Sequence, residues 1–304
     1  MNRIAFLGTP GAAVPTLRAL AERHEIAVVI TQPDRARGRG RDLSAPPVKA
    51  EATRLGIGVA QPESSEGIEH ALQSAGELDL GVVVAYGRIL KPGALGAPAR
   101  GMLNVHFSLL PRWRGAAPVA RALMEGDPMS GVTIIRLDEG LDTGPVLTAQ
   151  GVDIEPGETA GELTSRLAGV GARLLVSVIP AYMSGDLEPV PQSDEGMTYA
   201  AKIEPGERAI EVGGKREAEV NRVRALSPEP GAVLVIDGEP YQVLRARLHQ
   251  VTPETGTWLA AGGAPVVGLA DGGLELVELL PPGKRPMSGE AWLRGRRRQA
   301  GTVA

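Results

Sequence analysis

The sequence contains no cysteine and few aromatic residues, and these shortages exclude several classes of protein. Without cysteine the chain cannot form disulfides, thiolate metal sites or a thiol nucleophile. Aromatic residues make up 3% of the composition, so the cores must be built from Val, Leu, Ile and Ala. No apolar run approaches the ~18 residues that span a bilayer, and the N-terminal apolar stretch is too short for a signal peptide. We therefore expect no membrane partner and a cytoplasmic location.

Histidine is also scarce, and the net charge is small. The four histidines include no pair with the spacing of two metal ligands, so we predict no metal site. A net charge of −4 does not by itself indicate a nucleic-acid-binding protein. Arginines nevertheless cluster at residues 35–41 and 294–298. Such clusters most often form a solvated surface, so a binding role requires further evidence.

The length and the hydrophobic pattern predict two domains. The 304 residues exceed the ~100–200 usual for one domain. In the first part, short apolar runs such as Leu80–Ala85 alternate with helical patterns, which predicts a doubly wound, mostly parallel α/β sheet. Later runs are shorter and separated by turns, which predicts a small β-barrel or sandwich. We predict a catalytic domain at residues 1–184, a linker at 185–205 and a second domain at 206–304.

The turn after the first predicted strand, Gly8-Thr9-Pro10-Gly11, argues against a nicotinamide enzyme. The dinucleotide-binding motif needs a glycine two residues after the first, so that the backbone can approach a pyrophosphate. Pro10 occupies that position, and it also lacks the N–H group that would bind phosphate. We therefore predict a tight turn in a doubly wound fold and reject a nicotinamide oxidoreductase.

Polar side chains follow two neighbouring predicted strands. Asn104 and His106 lie two residues apart at the end of the strand Gly101–His106, so both point to the same side. Asp142 follows the next strand, and its carboxylate could reach the imidazole. A lone histidine or a lone loop aspartate is more often structural. Together, at the end of the sheet where ligands bind in this type of fold, they indicate a catalytic site.

These residues carry a resemblance to a known family. Asn104-x-His106-x-Ser108-Leu109-Leu110-Pro111, together with Asp142 in Gly-Leu-Asp-Thr-Gly, resembles the active-site motif of the 10-formyltetrahydrofolate-dependent formyltransferases. Four further segments narrow the resemblance to the members of the family that formylate methionyl-tRNA. These segments are Thr31–Arg35, Gly38–Gly40, Val83–Gly87 and Ser108–Pro118. The resemblance is strong up to about residue 184 and resumes at Pro282–Met287.

The resemblance implies a role for each catalytic residue. Transfer of a formyl group to an amine passes through a tetrahedral intermediate that carries an oxyanion. Asn104 and His106 are expected to stabilise this oxyanion. Asp142 is expected to orient His106 and to assist proton transfer. No covalent formyl-enzyme is needed, and we interpret Ser108 as a residue that shapes its loop.

The resemblance also implies the substrate-binding residues, and from it we expect a monomer that binds 10-formyltetrahydrofolate and initiator methionyl-tRNA. The second domain resembles the OB-like barrel of the family, a fold with precedent for nucleic-acid binding. The expected folate-binding residues are Ala85, Tyr86, Gly87, Ile89, Leu90, Ser108, Leu109, Leu110 and Pro111. The expected tRNA-binding residues are Arg35, Arg37, Arg39, Arg41, Lys284, Arg285, Arg296 and Arg297.

Three positions depart from the family pattern, and two alternative functions stay open. Phe107 replaces a residue that is often small, Ser227–Pro230 replaces Asn-Pro-Trp-Pro, and Glu211-Val212 replaces an aspartate–tryptophan pair. One alternative is a formyltransferase for a nucleotide-linked amino sugar or a purine precursor, against which the arginine loop argues. The other is a nucleic-acid-binding module on an inactive enzyme fold, against which the intact catalytic residues argue.

Overall fold

The computed structural model describes residues 1–37 and 42–304. Its strands are β1 (Arg3–Gly8), β2 (Glu25–Ile30), β3 (Arg35–Arg37), β4 (Asp42–Ser44), β5 (Val59–Ala60), β6 (Leu80–Val84), β7 (Met102–His106), β8 (Arg114–Gly115), β9 (Met129–Arg136), β10 (Val146–Asp153), β11 (Tyr199–Ala200), β12 (Ala232–Ile236), β13 (Glu239–His249), β14 (Thr257–Ala261), β15 (Ala264–Leu269), β16 (Gly272–Leu280), β17 (Met287–Ser288) and β18 (Ala300–Thr302). Its α-helices are α1 (Val14–Ala21), α2 (Pro47–Arg54), α3 (Ser65–Ser74), α4 (Pro92–Leu95), α5 (Pro118–Met124), α6 (Ala160–Ser184), α7 (Arg216–Leu226) and α8 (Gly289–Arg294).

The first sheet has seven strands in the order β10-β9-β7-β6-β1-β2-β5. β1 pairs in parallel with β2 and β6, and β6 pairs in parallel with β7, whereas β9 runs antiparallel to β7. The central strand β6 is buried along its whole length because helices cover both faces of such a sheet. The predicted α/β class with a mostly parallel sheet is confirmed.

Helix α6 is long and apolar enough to cross a membrane by length and composition alone. Arg166 and Arg173 interrupt this helix, so it is not a continuous apolar run. Leu167 and Leu175 on α6 are fully buried. A Cβ atom on Gly171 would lie 2.6 Å from Val105 of β7 and 3.3 Å from Val132 of β9. This close approach to the sheet is the packing of a core helix in a globular protein.

The second sheet is antiparallel and closes on itself. Its strands follow the order β12-β13-β16-β15-β14-β18, with β17 paired to β16. Beyond β18 the chain returns to the first strand, where the N–H groups of Val235 and Ala304 each donate to the other's carbonyl at 3.0 Å. The Asp237 N–H also donates to the Thr302 carbonyl at 2.9 Å. This return joins the last segment of the sheet to its first strand, with a bridge between Ile236 and Val303, and the predicted small barrel is confirmed.

The chain divides into two compact units. The first contains residues 1–116, 130–152 and 164–200, and the second contains residues 117–129, 153–163 and 201–304. Residues 185–200, predicted as part of a linker, make backbone pairs within the first unit: Val190 pairs with Val146, and β11 pairs with β8. The predicted division into domains at 1–184 and 206–304 stays a prediction, because compactness alone does not show which parts fold independently.

Candidate active site

The candidate site lies in the first unit, at the carboxyl end of β7. Asn104 and His106 alternate with apolar residues along this strand, so their side chains share one face of the sheet. β7 pairs with β6 through Val83 and Asn104, and with β9 through Thr133 and His106. Asn104 is 8% exposed and His106 is 5% exposed. The sheet therefore presents an amide and an imidazole together, largely shielded from water.

Asp142 is brought to the same place by the loop that follows β9. Within the loop, Asp138 Oδ1 accepts hydrogen bonds from the Thr143 hydroxyl at 2.7 Å and from a loop N–H at 3.0 Å. A Cβ atom on Gly144 would lie 1.9 Å from the Arg136 carbonyl oxygen, so only glycine fits at that position. The Gly-Leu-Asp-Thr-Gly motif is thus a loop of fixed shape, with its aspartate directed inwards.

The Asp142 carboxylate contacts both side chains of β7. Its Oδ1 accepts a hydrogen bond from the Asn104 Nδ2 at 3.3 Å. Its Oδ2 lies 3.5 Å from His106 Nδ1 and accepts a hydrogen bond from the Gly115 N–H at 2.9 Å. The structure therefore brings together the three side chains that were predicted to be catalytic, from two separate segments of the chain.

The surroundings of His106 determine which ring nitrogen carries its proton. Nε2 lies 2.9 Å from the Trp113 carbonyl oxygen, which can only accept a hydrogen bond. Neutral His106 is therefore protonated at Nε2, and its Nδ1 presents a lone pair towards Asp142. A proton taken up at Nδ1 would face the carboxylate at 3.5 Å. The arrangement therefore leaves Nδ1 as the ring nitrogen available to accept a proton, 3.5 Å from the Asp142 carboxylate.

Unusual backbone conformations are concentrated at this site. Among the described non-glycine residues, those with positive φ are Ala85 (+46°), Trp113 (+66°), Asp142 (+54°) and Asp237 (+50°). The first three lie in the segments that follow β6, β7 and β9 and carry the predicted site. Such conformations cost about 1–3 kcal/mol each and persist only where the surroundings hold them. This concentration supports a functional interpretation of the site.

The loop after β6 contains five of the predicted folate-binding residues, and the structure divides them into two groups. Ala85, Gly87 and Ile89 are exposed, and the apolar side chain of Ile89 is 76% exposed. Tyr86 and Leu90 instead have buried side chains within an apolar cluster of the first unit. An exposed aliphatic side chain beside backbone groups fits the edge and face of a flat heterocycle.

The backbone carbonyl of Tyr86 is held by two side chains. Its carbonyl oxygen accepts hydrogen bonds from the Thr9 hydroxyl at 3.1 Å and from the Gln32 amide at 3.2 Å. These two contacts occupy the carbonyl and fix the loop after β6. Any backbone contact with a ligand in this loop must come from its other N–H and C=O groups.

The hydroxyl of Tyr86 has no hydrogen-bond partner among the described residues, and burial raises the pKa of this group. We expect Tyr86→Phe to raise the free energy of unfolding by about 1 kcal/mol, because it removes a buried unpaired polar atom. Urea denaturation would measure the change. Tyr182→Phe is the matched control: its buried hydroxyl donates to the Arg100 carbonyl at 2.6 Å, so we expect a loss of similar size. A destabilised Tyr86→Phe would contradict the prediction.

The loop after β7 is held by its own hydrogen bonds. The Ser108 hydroxyl donates to the Arg112 carbonyl at 2.7 Å, and the Ser108 carbonyl accepts from the Thr133 hydroxyl at 2.7 Å. These contacts agree with the interpretation that Ser108 shapes the loop. The other predicted folate-binding residues of this loop are half-buried: Leu109, Leu110 and Pro111.

The arginine loop begins and ends in a short antiparallel hairpin formed by β3 and β4. Arg35 is exposed at the start of β3, and Arg37 ends that strand. Arg39 and Arg41 lie outside the described residues. The hairpin leaves the sheet directly after β2 and returns to α2, so it belongs to the first unit.

A polar cluster closes the base of this hairpin. Lys49 Nζ contacts both carboxylate oxygens of Asp34 at 2.8 and 2.7 Å, and Gln61 Oε1 at 2.8 Å. The Gln61 amide donates to Asp34 Oδ1 at 2.7 Å and to the Gln32 carbonyl at 2.8 Å. The hydrogen bond from Lys49 holds the pKa of Asp34 below its usual range. The cluster ties the ends of the hairpin to the segment that supports Tyr86.

The predicted tRNA-binding residues of the second unit differ in their surroundings. Arg296 is half-buried: its guanidinium donates to Asp237 Oδ2 at 3.1 Å and to the Tyr241 hydroxyl at 2.7 Å, and it stacks on the Trp292 ring at 4.3 Å. Its hydrogen bonds are therefore committed within the barrel. The remaining three are exposed: Lys284, Arg285 and Arg297.

Sequence reasoning missed several groups that contact the catalytic side chains. The Trp113 carbonyl and the Gly115 N–H are backbone groups, which carry no side-chain signal. Their position within the motif at residues 108–118 was the available hint. Gln192 was placed in a linker, yet its side-chain amide donates to the carbonyls of Asp142 and Gly144.

Comparison with known proteins places these features in a family. Residues 2–179 match the family model "Formyl transferase", and residues 202–297 match "Formyl transferase, C-terminal domain". The chain is 49% identical to a "Methionyl-tRNA formyltransferase" of Halorhodospira halophila over 300 residues, covering 97% of this chain and 96% of the relative. It is 44% identical to a protein of the same name from Alcanivorax borkumensis over 301 residues, covering 96% and 91%.

Among solved structures, the fold is similar to an N-formyltransferase from Helicobacter canadensis that was determined with folinic acid and dTDP-3-aminofucose. The TM-score is 0.70 at 19% identity, covering 91% of this chain and 99% of that chain. The fold, the family models and the site geometry define a transferase of the one-carbon group-transfer class. The chain belongs to the formyl transferase family, and its full-length relatives carry the name methionyl-tRNA formyltransferase.

Proposed function

We propose that the chain transfers the formyl group of 10-formyltetrahydrofolate to the α-amine of methionyl-initiator tRNA, which yields formylmethionyl-tRNA for translation initiation. The observation that carries the catalytic part is the convergence of Asn104, His106 and Asp142 at the carboxyl end of β7. The choice of acceptor is supported by the full-length similarity to relatives named for it. We place the reaction in the cytoplasm and expect the enzyme to act as a monomer.

The geometry supports a role for each side chain. Asn104 uses one amide hydrogen for Asp142 at 3.3 Å, and its second N–H is the donor we assign to the oxyanion of the tetrahedral intermediate. The attacking amine must lose a proton, and His106 Nδ1 beside Asp142 is the group we assign to receive it, directly or through water. The resulting imidazolium adds positive charge next to the developing oxyanion, and as the intermediate collapses the proton passes to N10 of the departing tetrahydrofolate, directly or through water. No step requires a covalent bond to the enzyme.

The binding residues are assigned by exposure and chemistry. We assign the folate to the loop after β6, where Ala85, Gly87 and Ile89 are exposed. We assign the end of the tRNA to the arginine hairpin, since guanidinium groups pair with phosphates and stack on unpaired bases. The exposed Lys284 and Arg285 are assigned to phosphate contacts from the second unit. Arg296 is assigned to the stability of the barrel.

A direct transfer assay tests the proposed function. Purified protein is incubated with 10-formyltetrahydrofolate labelled in the formyl group. One reaction also contains methionine charged on initiator tRNA, and a second reaction contains free nucleotide-linked amino sugars instead. We expect label on the charged tRNA and none on the sugars. Label on the sugars alone would show that the acceptor is an amino sugar and not methionyl-tRNA. Label on neither would refute the enzymatic proposal.

Arg39→Ala tests the assignment of the arginine hairpin. One charge-assisted contact contributes about 1.5–3 kcal/mol, so we expect kcat/KM for charged tRNA to fall roughly 10–100-fold. KM for the folate should not change. The loss should shrink as salt is raised, because phosphate contacts depend on counterion release. Arg23→Ala, which removes an exposed arginine after α1, is the control. An Arg39→Ala enzyme with wild-type kinetics on tRNA would remove the hairpin from the proposal.

A further inference from the structure

Arg114 and Gln192 form a buried pair beside the Asp142 loop, in the first unit. Arg114 is 4% exposed, and its Nε and Nη2 donate to Gln192 Oε1 at 3.0 and 2.8 Å. Its Nη1 contacts Met197 Sδ at 2.9 Å. These acceptors are neutral, so the contacts do not balance the buried charge. A guanidinium in such surroundings is costly compared with an apolar side chain of similar volume, and stability alone does not account for it.

The amide of Gln192 connects this arginine to the catalytic loop. Its Nε2 donates to the carbonyl oxygens of Asp142 and Gly144 at 2.8 and 2.7 Å. Its Oε1 accepts both hydrogen bonds from Arg114. Both N–H groups of the Gln192 amide are therefore used, and they hold the two carbonyl groups on either side of Thr143. An apolar side chain of the same size could fill the space but could not hold these carbonyls.

The loop depends on such support because Asp142 is in a left-handed conformation, with φ of +54°. This conformation is unfavourable for a residue with a Cβ atom, so the neighbouring structure must maintain it. The backbone of Asp142 is held through Gln192, and its carboxylate is held by the N–H of Gly115, the residue after Arg114. Both attachments lead to the short strand β8, which pairs with β11.

We propose that Arg114 and Gln192 are positioning residues that hold the Asp142 carboxylate against His106 and Asn104 during formyl transfer; this inference rests on the proposed function. In the part of the chain that the structure describes, neither side chain forms a hydrogen bond with Asn104 or His106. Their effect is transmitted through the backbone of the Asp142 loop. Loss of the pair therefore acts on the chemical step and leaves substrate binding intact.

Gln192→Glu provides a sharp test. The substitution keeps the size of the side chain and an acceptor for Arg114, but it places an oxygen instead of a donor against two carbonyl groups. A displacement of about 1 Å in a catalytic group costs roughly 100-fold, so we expect kcat to fall about 10–100-fold with little change in either KM. Gln73→Glu, on an exposed position of α3, is the matched control and should retain wild-type kinetics.

A spectroscopic measurement separates this inference from the proposed function. The chain has four histidines, so ring-nitrogen signals of ¹⁵N-histidine-labelled protein can be assigned to His106 by comparison with His106→Ala. In Gln192→Glu we expect the His106 signals to move while the other three stay. The measurement requires no formyl transfer, so it remains informative even if the wild-type protein forms no product. Gln192→Met, which also lacks the donors, serves if Gln192→Glu does not fold.

A double-mutant cycle tests whether the two residues act as one unit. Arg114→Met should lower kcat by a similar factor to Gln192→Met, and the double variant should lose no more than the larger single loss. If the two single losses in kcat multiply in the double variant, the proposal that Arg114 and Gln192 act as one unit is wrong. A folded Gln192→Glu with kcat within about twofold of wild type and unchanged His106 signals would overturn the positioning role itself, since a twofold change is below 1 kcal/mol.

Discussion

His106→Ala is expected to lower kcat for formyl transfer roughly 100–1000-fold while the enzyme still binds charged tRNA, and Asn104→Ala is expected to do the same. The reason lies in the end of β7, where the two side chains are 5% and 8% exposed and directed at one carboxylate. In such a shielded site the Asn104 amide stabilises a developing oxyanion much more than it would in water, and His106→Ala removes the group assigned to accept the amine proton. Single-turnover formyl transfer measures the rate of the chemical step. A binding titration measures the affinity of each variant for charged tRNA.

The control for this experiment is His70→Ala, which removes an exposed histidine from α3. We expect wild-type turnover from that variant, so that a loss in His106→Ala reflects the site. Retention of turnover within about tenfold in both His106→Ala and Asn104→Ala would refute the catalytic assignment, because tenfold corresponds to only ~1.4 kcal/mol of transition-state stabilisation. Loss of tRNA binding together with turnover would instead assign these residues to substrate binding.

The parts of the fold that were predicted correctly share one property: their side chains repeat with the period of the element. The continuously apolar run of β6 predicted a strand buried on both faces. The two-residue spacing of Asn104 and His106 predicted that both side chains emerge on one face of β7. β10 was missed because most of its residues are exposed or half-buried, so its pattern is that of a polar loop.

The supporting shell of the site could not be predicted in the same way, because it consists of backbone groups and of side chains distant in sequence. Asp142 is held by the Gly115 N–H and by Gln192, and His106 is held by the Trp113 carbonyl. Residues 185–200 have the composition of a linker. Their hydrogen bonds go to partners that are distant in sequence, and such contacts leave no local pattern. The Thr198 carbonyl, for example, accepts from the N–H of Arg114 at 2.9 Å. A segment of this kind has no periodic pattern, although hydrogen bonds hold its backbone.

Exposure decides which predicted binding residues can contact a substrate, and sequence composition cannot supply it. In the C-terminal arginine cluster, Arg297 is exposed whereas Arg296 is held between Asp237, Tyr241 and Trp292. The two residues are adjacent and chemically identical. Only the path of the chain after α8 distinguishes an arginine that stabilises the barrel from one that is available to phosphate.

Trp258→Ala is expected to reduce the free energy of unfolding of the second unit by about 3–5 kcal/mol, the range for truncation of a large buried aromatic residue. Trp258 is 1% exposed and packs edge-on against Trp292 with 5.0 Å between ring centroids. Its Nε1 donates to Asp237 Oδ1 at 3.2 Å, an atom that also accepts from the Thr302 N–H at 3.0 Å. Truncation therefore leaves a cavity and removes one donor from a partly buried carboxylate at the closure of the barrel.

Urea denaturation followed by far-ultraviolet circular dichroism measures this loss, and Trp258→Phe is the control. Phenylalanine keeps most of the apolar volume but not the N–H, so we expect a smaller loss, of about 1–3 kcal/mol, dominated by the hydrogen bond to Asp237. A loss below about 1 kcal/mol in Trp258→Ala would show that the barrel repacks around the missing ring, contrary to the close packing of protein cores.

The same variant tests the predicted division of the chain into domains at 1–184 and 206–304. If the first domain folds by itself, denaturation of Trp258→Ala should separate into two steps, with the barrel of the second unit lost first. The ¹⁵N signals of His106, which lies in the first unit, should then persist through the first step and disappear in the second. A single step in which the His106 signals vanish together with the β-barrel would contradict independent folding. The segments 117–129 and 153–163, which belong to the second unit, would then be the physical reason, since they interrupt the first unit in sequence.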